Sequence, residues 1–455
     1  MNRWIWPAGI VGVVAAATAA ATVVGAQPVP QVAFTASETR ASVVCPAFGS
    51  ATATVRVAAA ATGPGLRTAA VTTPSAVTDA GQFRVLDRPE AWVRVSALLP
   101  DPFGASTVVA AEAGADRGLS ASACGPAATE HWFPGVDVRN VAQSEVVVAN
   151  LDGTPASVDL TVYGEKGRIA APRGVRVDGN AVQSISLSTL ERSPGPVTVE
   201  VSSTDGRVAA FVRQRTWQQD VPLGADWLAA GTAPATTSVV PGVPAGEGGR
   251  TLVVANPGQR TATVTIGGLT KDGPAVLVGA DELEVPAEST RTVDLTTGMD
   301  AQPGALVLES SQPVTAGVWL DTGGSDARRD PAYTVATRPL PSDSVWPLAL
   351  GKGAASVLQL ANPGAAEAVV TVTAGTGPEP GTPQEVRIPA GSIAEVPLAR
   401  QSTTLLRLQT AATDVRAALA STDRLGKVRG LAVVPLAGEE VRPESEVVFD
   451  PHAGS

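Results

Sequence analysis

Leu252-Val253-Val254-Ala255-Asn256-Pro257-Gly258 is the stretch from which the rest of the chain can be read. Four apolar residues lead into an Asn-Pro-Gly turn. The phrase returns as Leu360-Ala361-Asn362-Pro363-Gly364 and, without its proline, as Val148-Ala149-Asn150-Leu151. The three asparagines are evenly spaced, since 256 − 150 and 362 − 256 both equal 106. Such an interval is one domain's worth of chain, and it sets the architecture before any strand is placed. An earlier, degenerate copy is read at Val43-Val44-Cys45-Pro46, with Cys45 in the asparagine slot, 105 residues ahead of Asn150 (150 − 45). Four copies of one unit are expected.

Each copy repeats more than this phrase. A proline precedes the marker by fifteen or sixteen residues, at Pro30, Pro134, Pro241 and Pro347. After it comes alternation of apolar and small polar residues, at Val158/Leu160/Val162, Val264/Ile266, Val370/Val372 and, in the first copy, Val55/Val57. Period-two alternation is the mark of a strand with one face on a core. In the third copy the pattern predicts strands at 251–255, 262–269, 282–285, 290–295, 305–308 and 314–320. Only 188–192 and 294–299 could form a helical turn. Six or seven short strands per hundred residues, separated by turn residues, predict an all-β chain of four antiparallel sandwiches of immunoglobulin type. The alternative is a β-propeller with two blades of about fifty residues in each period. The expected divisions are 1–26 for a hydrophobic leader, then units at 27–128, 129–235, 236–341 and 342–455, the last with a C-terminal tail. The recurring asparagine has a structural reading: at a strand end its side chain bonds the backbone two residues on, and the following proline stops pairing.

Composition narrows the function classes. Net charge is −10 and only four lysines occur, which argues against nucleic acid as a partner. With aromatic residues at 4%, the cores have to be built from Val, Leu, Ala and Ile. The 46 glycines and 37 prolines fit turns rather than disorder, because apolar residues remain plentiful. Arg3 is the only charge before an uncharged run from Trp4 to Val24, and Val24-Gly25-Ala26 resembles a cleavage site. The run serves equally as a membrane anchor. Either way the rest of the chain is expected outside the cytoplasm. Cys45 and Cys124 fall in one unit, and a disulfide between them suits that compartment. Closing the 79-residue span (124 − 45) is worth about 4 kcal/mol on the chain-entropy model.

Little in the sequence points to catalysis. His131 and His452 are the only histidines, and Glu130-His131-Trp132-Phe133-Pro134 reads as a joint between units. Neither a nucleophile elbow nor a zinc-type His pair nor a phosphate loop is found, so no catalytic residue, cofactor or metal is assigned. Asp321, Asp326 and Asp330 mark a Gly-rich turn that lacks the spacing of a calcium loop. Trp92 and Trp319 read as core, and Trp132 and Trp346 as linker packing. The unusual stretch is 213–227, where Arg213, Arg215, Trp217, Gln218, Asp220, Asp226 and Trp227 combine indoles with amides and charges. Such a set either packs a joint between the second and third units or presents a sugar-stacking surface.

Asp226-Trp227, Val239-Val240-Pro241-Gly242-Val243-Pro244 and the two Asn-Pro-Gly phrases together resemble an actinobacterial family of extracytoplasmic proteins with no assigned function. The resemblance implies secretion or anchoring by one N-terminal helix, and coding near a multi-spanning membrane glycosyltransferase. It carries no catalytic residues. The expected function is a non-enzymatic binding or scaffold role at the cell envelope, its partner an envelope protein, a glycan or that glycosyltransferase. The runner-up is a carbohydrate-binding or carbohydrate-active protein using the 213–227 surface.

Overall fold

The computed structural model describes residues 39–47, 53–139, 142–190, 192–218, 221–324, 328–351, 353–376, 379–399 and 404–437. The leader, Pro30, Asp220, Asp326 and His452 lie outside the described residues. All described residues belong to one compact unit, Thr39–Glu444, and contain strands and turns but no helix.

The marker asparagine does what its chemistry suggests. Asn256 is fully buried; its Oδ1 accepts from Gly258 N at 3.0 Å, and its Nδ2 donates to the carbonyls of Arg260 at 2.7 Å and Val285 at 3.0 Å. Asn362 repeats this with Gly364 N, Ala366 O and Ile388 O. Asn150 repeats it with Asp152 N, Thr154 O and Val177 O, so Leu151 in place of proline leaves the turn intact. One side chain thus ties the turn to a neighbouring strand end and satisfies backbone groups that burial would otherwise leave unpaired.

The strand order also repeats. In the second copy the opening strand Glu130–Val136 pairs with Val197–Asp205, which pairs with Ala156–Gly164. In the facing sheet the marker strand Ala142–Asn150 lies between Ala181–Ser186 and Ala209–Gln218, and the closing strand Val221–Leu228 pairs with the latter. The fourth copy matches: Asp343–Leu348, Thr404–Thr410 and Ala368–Gly375 in one sheet, Ser392–Leu398, Ala355–Asn362, Arg416–Leu425 and Val428–Pro435 in the other. In the third copy one 18-residue strand, Gly304–Asp321, runs through both sheets, so the segments expected separately at 305–308 and 314–320 are continuous. Apolar residues of the two sheets share one core, as Val148, Leu160 and Val199 do in the second copy. This order differs from the immunoglobulin arrangement, in which the first two strands lie in the same sheet. Here the chain crosses between sheets after its opening strand.

The first copy corrects the reading of Cys45. Arg40–Cys45 pairs with Val93–Leu98 and is therefore an opening strand; the counterpart of the marker strand is Thr54–Ala61, which pairs with Phe83–Asp87 and Phe103–Ala111. Val55 and Val57 thus belong to the marker strand itself, and the chain leaves it through Thr62-Gly63-Pro64-Gly65. Val44 bridges to Gly125 just as Trp132 bridges to Gly231, which aligns Pro46 with Pro134. The interval between those prolines is 88 residues (134 − 46), against 107 (241 − 134) and 106 (347 − 241) later. The first copy is shorter, and Cys45-Pro46 only imitated the Asn-Pro phrase. Cys124 follows the closing strand Gly118–Ala123, and a disulfide joins it to Cys45 with Cα atoms 4.4 Å apart.

Prolines hid the opening strands from the pattern. Pro134, Pro241 and Pro347 all sit inside them. Each of these strands pairs with one other strand and, among the described residues, meets no more than isolated contacts on its outer side, where proline is tolerated because no ladder donor is needed.

The four copies close on themselves. The closing strands Gly118–Ala123, Val221–Leu228, Pro331–Val335 and Val428–Pro435 touch in sequence order, and the fourth touches the first. The cores follow the same rule. Tyr333 joins the core of the second copy; Ala418, Leu431 and Val433 join that of the third; Val108, Leu119 and Ala121 join that of the fourth. Val44 and Trp92 of the first copy share a cluster with Ala209, Phe211 and Trp227 of the second. Each contact is head-to-tail, and the rotation closes after four steps. Two sheets per period around one axis is what the propeller alternative carried. The strands of each sheet are not consecutive in sequence, which a propeller blade would require.

Candidate functional site

Where the closing strands converge, their sequences leave room for a carboxyl group. Gly118 opens the first closing strand at φ +108°, and Gly224 lies in the second at φ +137°. A Cβ at Gly118 would come within 1.8 Å of Asp330 Oδ1, and one at Gly224 within 2.9 Å. Asp330 immediately precedes the third closing strand and is wholly buried. Its Oδ2 accepts from Leu119 N at 2.9 Å and from Leu431 N at 2.8 Å, in the first and fourth closing strands. All four copies therefore meet on one side chain.

Burial pushes the Asp330 carboxyl well above the usual carboxylate range, against the pull of those two amides, and the nearby Asp226 carboxyl pushes it further. Oδ1 has no hydrogen-bond partner among the described residues. The two amides fix Oδ2 as an acceptor, and the nearby Arg117 opposes the upward shift. Asp226 is raised as well, first by burial, while Ser120 Oγ at 2.6 Å and the Trp227 amide oppose the shift. Tyr333 is raised by burial and then by Asp226 and Asp137.

The 213–227 stretch is the hairpin of the second copy, and most of it faces inward. Arg213, 2% exposed, reaches Asp116 of the first copy at 2.5 Å, and Arg215 Nε reaches the same carboxylate at 2.9 Å. Trp227, 4% exposed, meets Trp92 edge-on at 5.7 Å and Phe211 at 6.4 Å, with the Arg213 guanidinium 5.8 Å from its ring centre. This joint is with the first copy rather than the third. Gln214 is the residue that turns toward the third copy, donating to Tyr333 while accepting from Asp137 N. Trp217 is half-buried and Gln218 exposed, where the hairpin leaves the joint.

The remaining candidates have structural partners. His131 is buried, with Nε2 2.8 Å from Val208 O; desolvation lowers its pKa despite the pull of that carbonyl, and it borders a cavity of about 280 Å³ beside Phe103, Phe211 and Trp346. Asp321 accepts from Gly249 N and Gly323 N, so it and Asp330 serve different turns. Trp132 stacks on Tyr163 at 5.8 Å, and Trp319 donates to Tyr333 Oη at 2.8 Å. Asp116, Ser120 and Tyr333 were not singled out from sequence. Only the repeat could have pointed to them, because Ser120 and Tyr333 belong to the strands that close the ring and Asp116 to the turn that leads into one.

What this centre can do is hold four copies in a fixed mutual arrangement, with buried carboxyl groups that respond to pH. No curated protein matches the chain. The model of a family of unknown function (DUF5719) matches residues 96–399, more than half of the 455, and the protein belongs to that family.

Proposed function

We propose that the protein is an exported, non-enzymatic assembly of four β-sandwich modules that acts as a binding or scaffold element at the cell envelope, with a multi-spanning glycosyltransferase as the partner to test first. The observation that carries this reading is the closed set of joints, welded by Asp330, the Arg213–Asp116 pair and the Trp92–Phe211–Trp227 cluster. A body whose repeats cannot reorient presents its loops in fixed geometry, and such preorganisation lowers the entropic cost of engaging a large partner. The Cys45–Cys124 disulfide suits an oxidising compartment, and the Arg3-led apolar run suits an export signal or anchor.

Crosslinking the full chain in its native envelope, followed by identification of the captured protein, tests the proposal. Recovery of one membrane protein at stoichiometric yield is the expected result. A carbohydrate-binding role remains as the second reading because Trp217 and Gln218 stay at the surface. Envelope polysaccharide retained by the wild type, released by Trp217→Ala and accompanied by no protein partner would favour it.

A further inference from the structure

The repeat supplies its own control for residues that the fold does not need. Six positions before the marker asparagine, the second and fourth copies carry Ser144 (150 − 6) and Ser356 (362 − 6), while the third carries Arg250 (256 − 6). Both serines are satisfied internally, Ser144 by Asp137 O at 2.7 Å and Ser356 by Ser421 Oγ at 2.8 Å. Arg250 is 3% exposed. Its Nη2 donates to Pro244 O at 2.8 Å and Gly246 O at 2.7 Å, and Nη1 has no partner among the described residues. Desolvation lowers its pKa, and among the described residues no carboxylate pairs with it. A buried guanidinium without a counter-ion is costly, and the fold elsewhere manages with a hydroxyl at this position.

Arg250 also borders a cleft of about 750 Å³ between the third and fourth copies. Arg424 and Arg429, both exposed, line it as well, as do the acids Glu247, Asp321 and Asp423. Asp321 is committed to the amides of Gly249 and Gly323, and one oxygen of Asp423 to the Arg424 amide. We infer that this cleft binds an acidic sugar, a hexose carrying a carboxylate or phosphate. The anionic group meets the arginines at the rim and the field of Arg250 beneath them, and the ring hydroxyls donate to Glu247 and Asp423. Guanidinium groups suit planar carboxylates and phosphates, and the volume suits one or two sugar rings. This site is separate from the 213–227 hairpin and does not depend on whether the ring recruits a protein.

Titrating the full chain with glucuronate, glucose 6-phosphate and glucose, followed by calorimetry, tests the inference. Saturable binding of one or both anions is expected, with glucose much weaker. Arg250→Ser installs the residue of the sister copies and should weaken the bound anion about tenfold or more. Arg429→Gln at the exposed rim should weaken it at unchanged thermal stability, which keeps the test open if the buried variant folds poorly. Absence of saturation by either anion, equal affinity for glucose, or full affinity in both variants would overturn the assignment.

Discussion

Two kinds of joint close the ring, and their difference shows how much of the closure is written in the repeat. At three joints the proline-bearing end of one opening strand settles on a small residue of the next copy. A Cβ added at Gly317 would sit 3.1 Å from Pro134 Cγ, one at Gly104 2.1 Å from Val345 O and 3.5 Å from Pro347 Cδ, and one at Gly242, next to Pro241, 2.5 Å from Ala418 Cβ. The joint between the first and second copies has Phe211 at the place of Gly317 and Ala418, as the shared pairing three residues before the marker shows for Val147, Val253 and Gln359. There the gap is filled by Trp92, Phe211 and Trp227 and is tied by Arg213 to Asp116. A regular surface closes with small residues and backbone contact. Where the first copy is shorter, aromatic volume and a buried ion pair do the same job.

The largest expected effect separates the two kinds. Trp227→Ala should cost about 3–5 kcal/mol in chemical denaturation, because the surrounding strands cannot collapse into the space. Pro134→Ala, at a proline joint, should stay within about 0.5–3 kcal/mol. A result in which the two changes cost the same would remove the distinction. Next comes the ion pair. Arg213→Ala leaves the buried Asp116 carboxylate to Arg215 and should cost about 1.5–3 kcal/mol, whereas Arg213→Met combined with Asp116→Leu, with Arg215 free to turn to solvent, should be milder. Were the double variant as unstable as the single one, packing rather than charge would govern this joint.

A smaller and pH-dependent effect tests the axis that both kinds of joint share. The raised value of Asp330 means that the folded protein holds its proton where the unfolded chain has released it. Stability from this group is therefore greatest below the ordinary carboxylate range and falls as pH rises toward the raised value. Asp330→Asn keeps an accepting oxygen for Leu119 N and Leu431 N and cannot ionise. Its urea midpoint should gain on the wild type as pH rises through that window. A constant offset at all pH values would show that the group is charged in the folded protein.

Local chemistry carried well from sequence to structure. The marker asparagines bond the backbone two residues on, the strands at 251–255, 262–269 and 282–285 fall within observed strands, and the one at 290–295 runs one residue past Ser289–Asp294. Those strands alternate or are bounded by turn residues, so neighbours in sequence decide them. The opening strands were illegible because an internal proline looks like a break. The first copy was misaligned because Cys45-Pro46 has the size and order of Asn-Pro but sits one strand earlier. The joints were illegible for a different reason. Arg213 and Asp116 are 97 residues apart, and nothing in either neighbourhood signals the other. The hairpin's mixture of indoles and charges announced an unusual place, and only the fold shows that the mixture faces inward.

Closure itself is open to a direct distance measurement. Glu112 and Lys427 are both exposed, and the Glu112 side chain lies 3.5 Å from the Cβ position of Gly426, so the first and fourth copies abut there. Spin labels at Glu112→Cys and Lys427→Cys should give a single narrow distribution at the short end of the measurable range. A broad distribution centred several domain widths away would mean that the copies hang in an open string, and the ring would have to be abandoned.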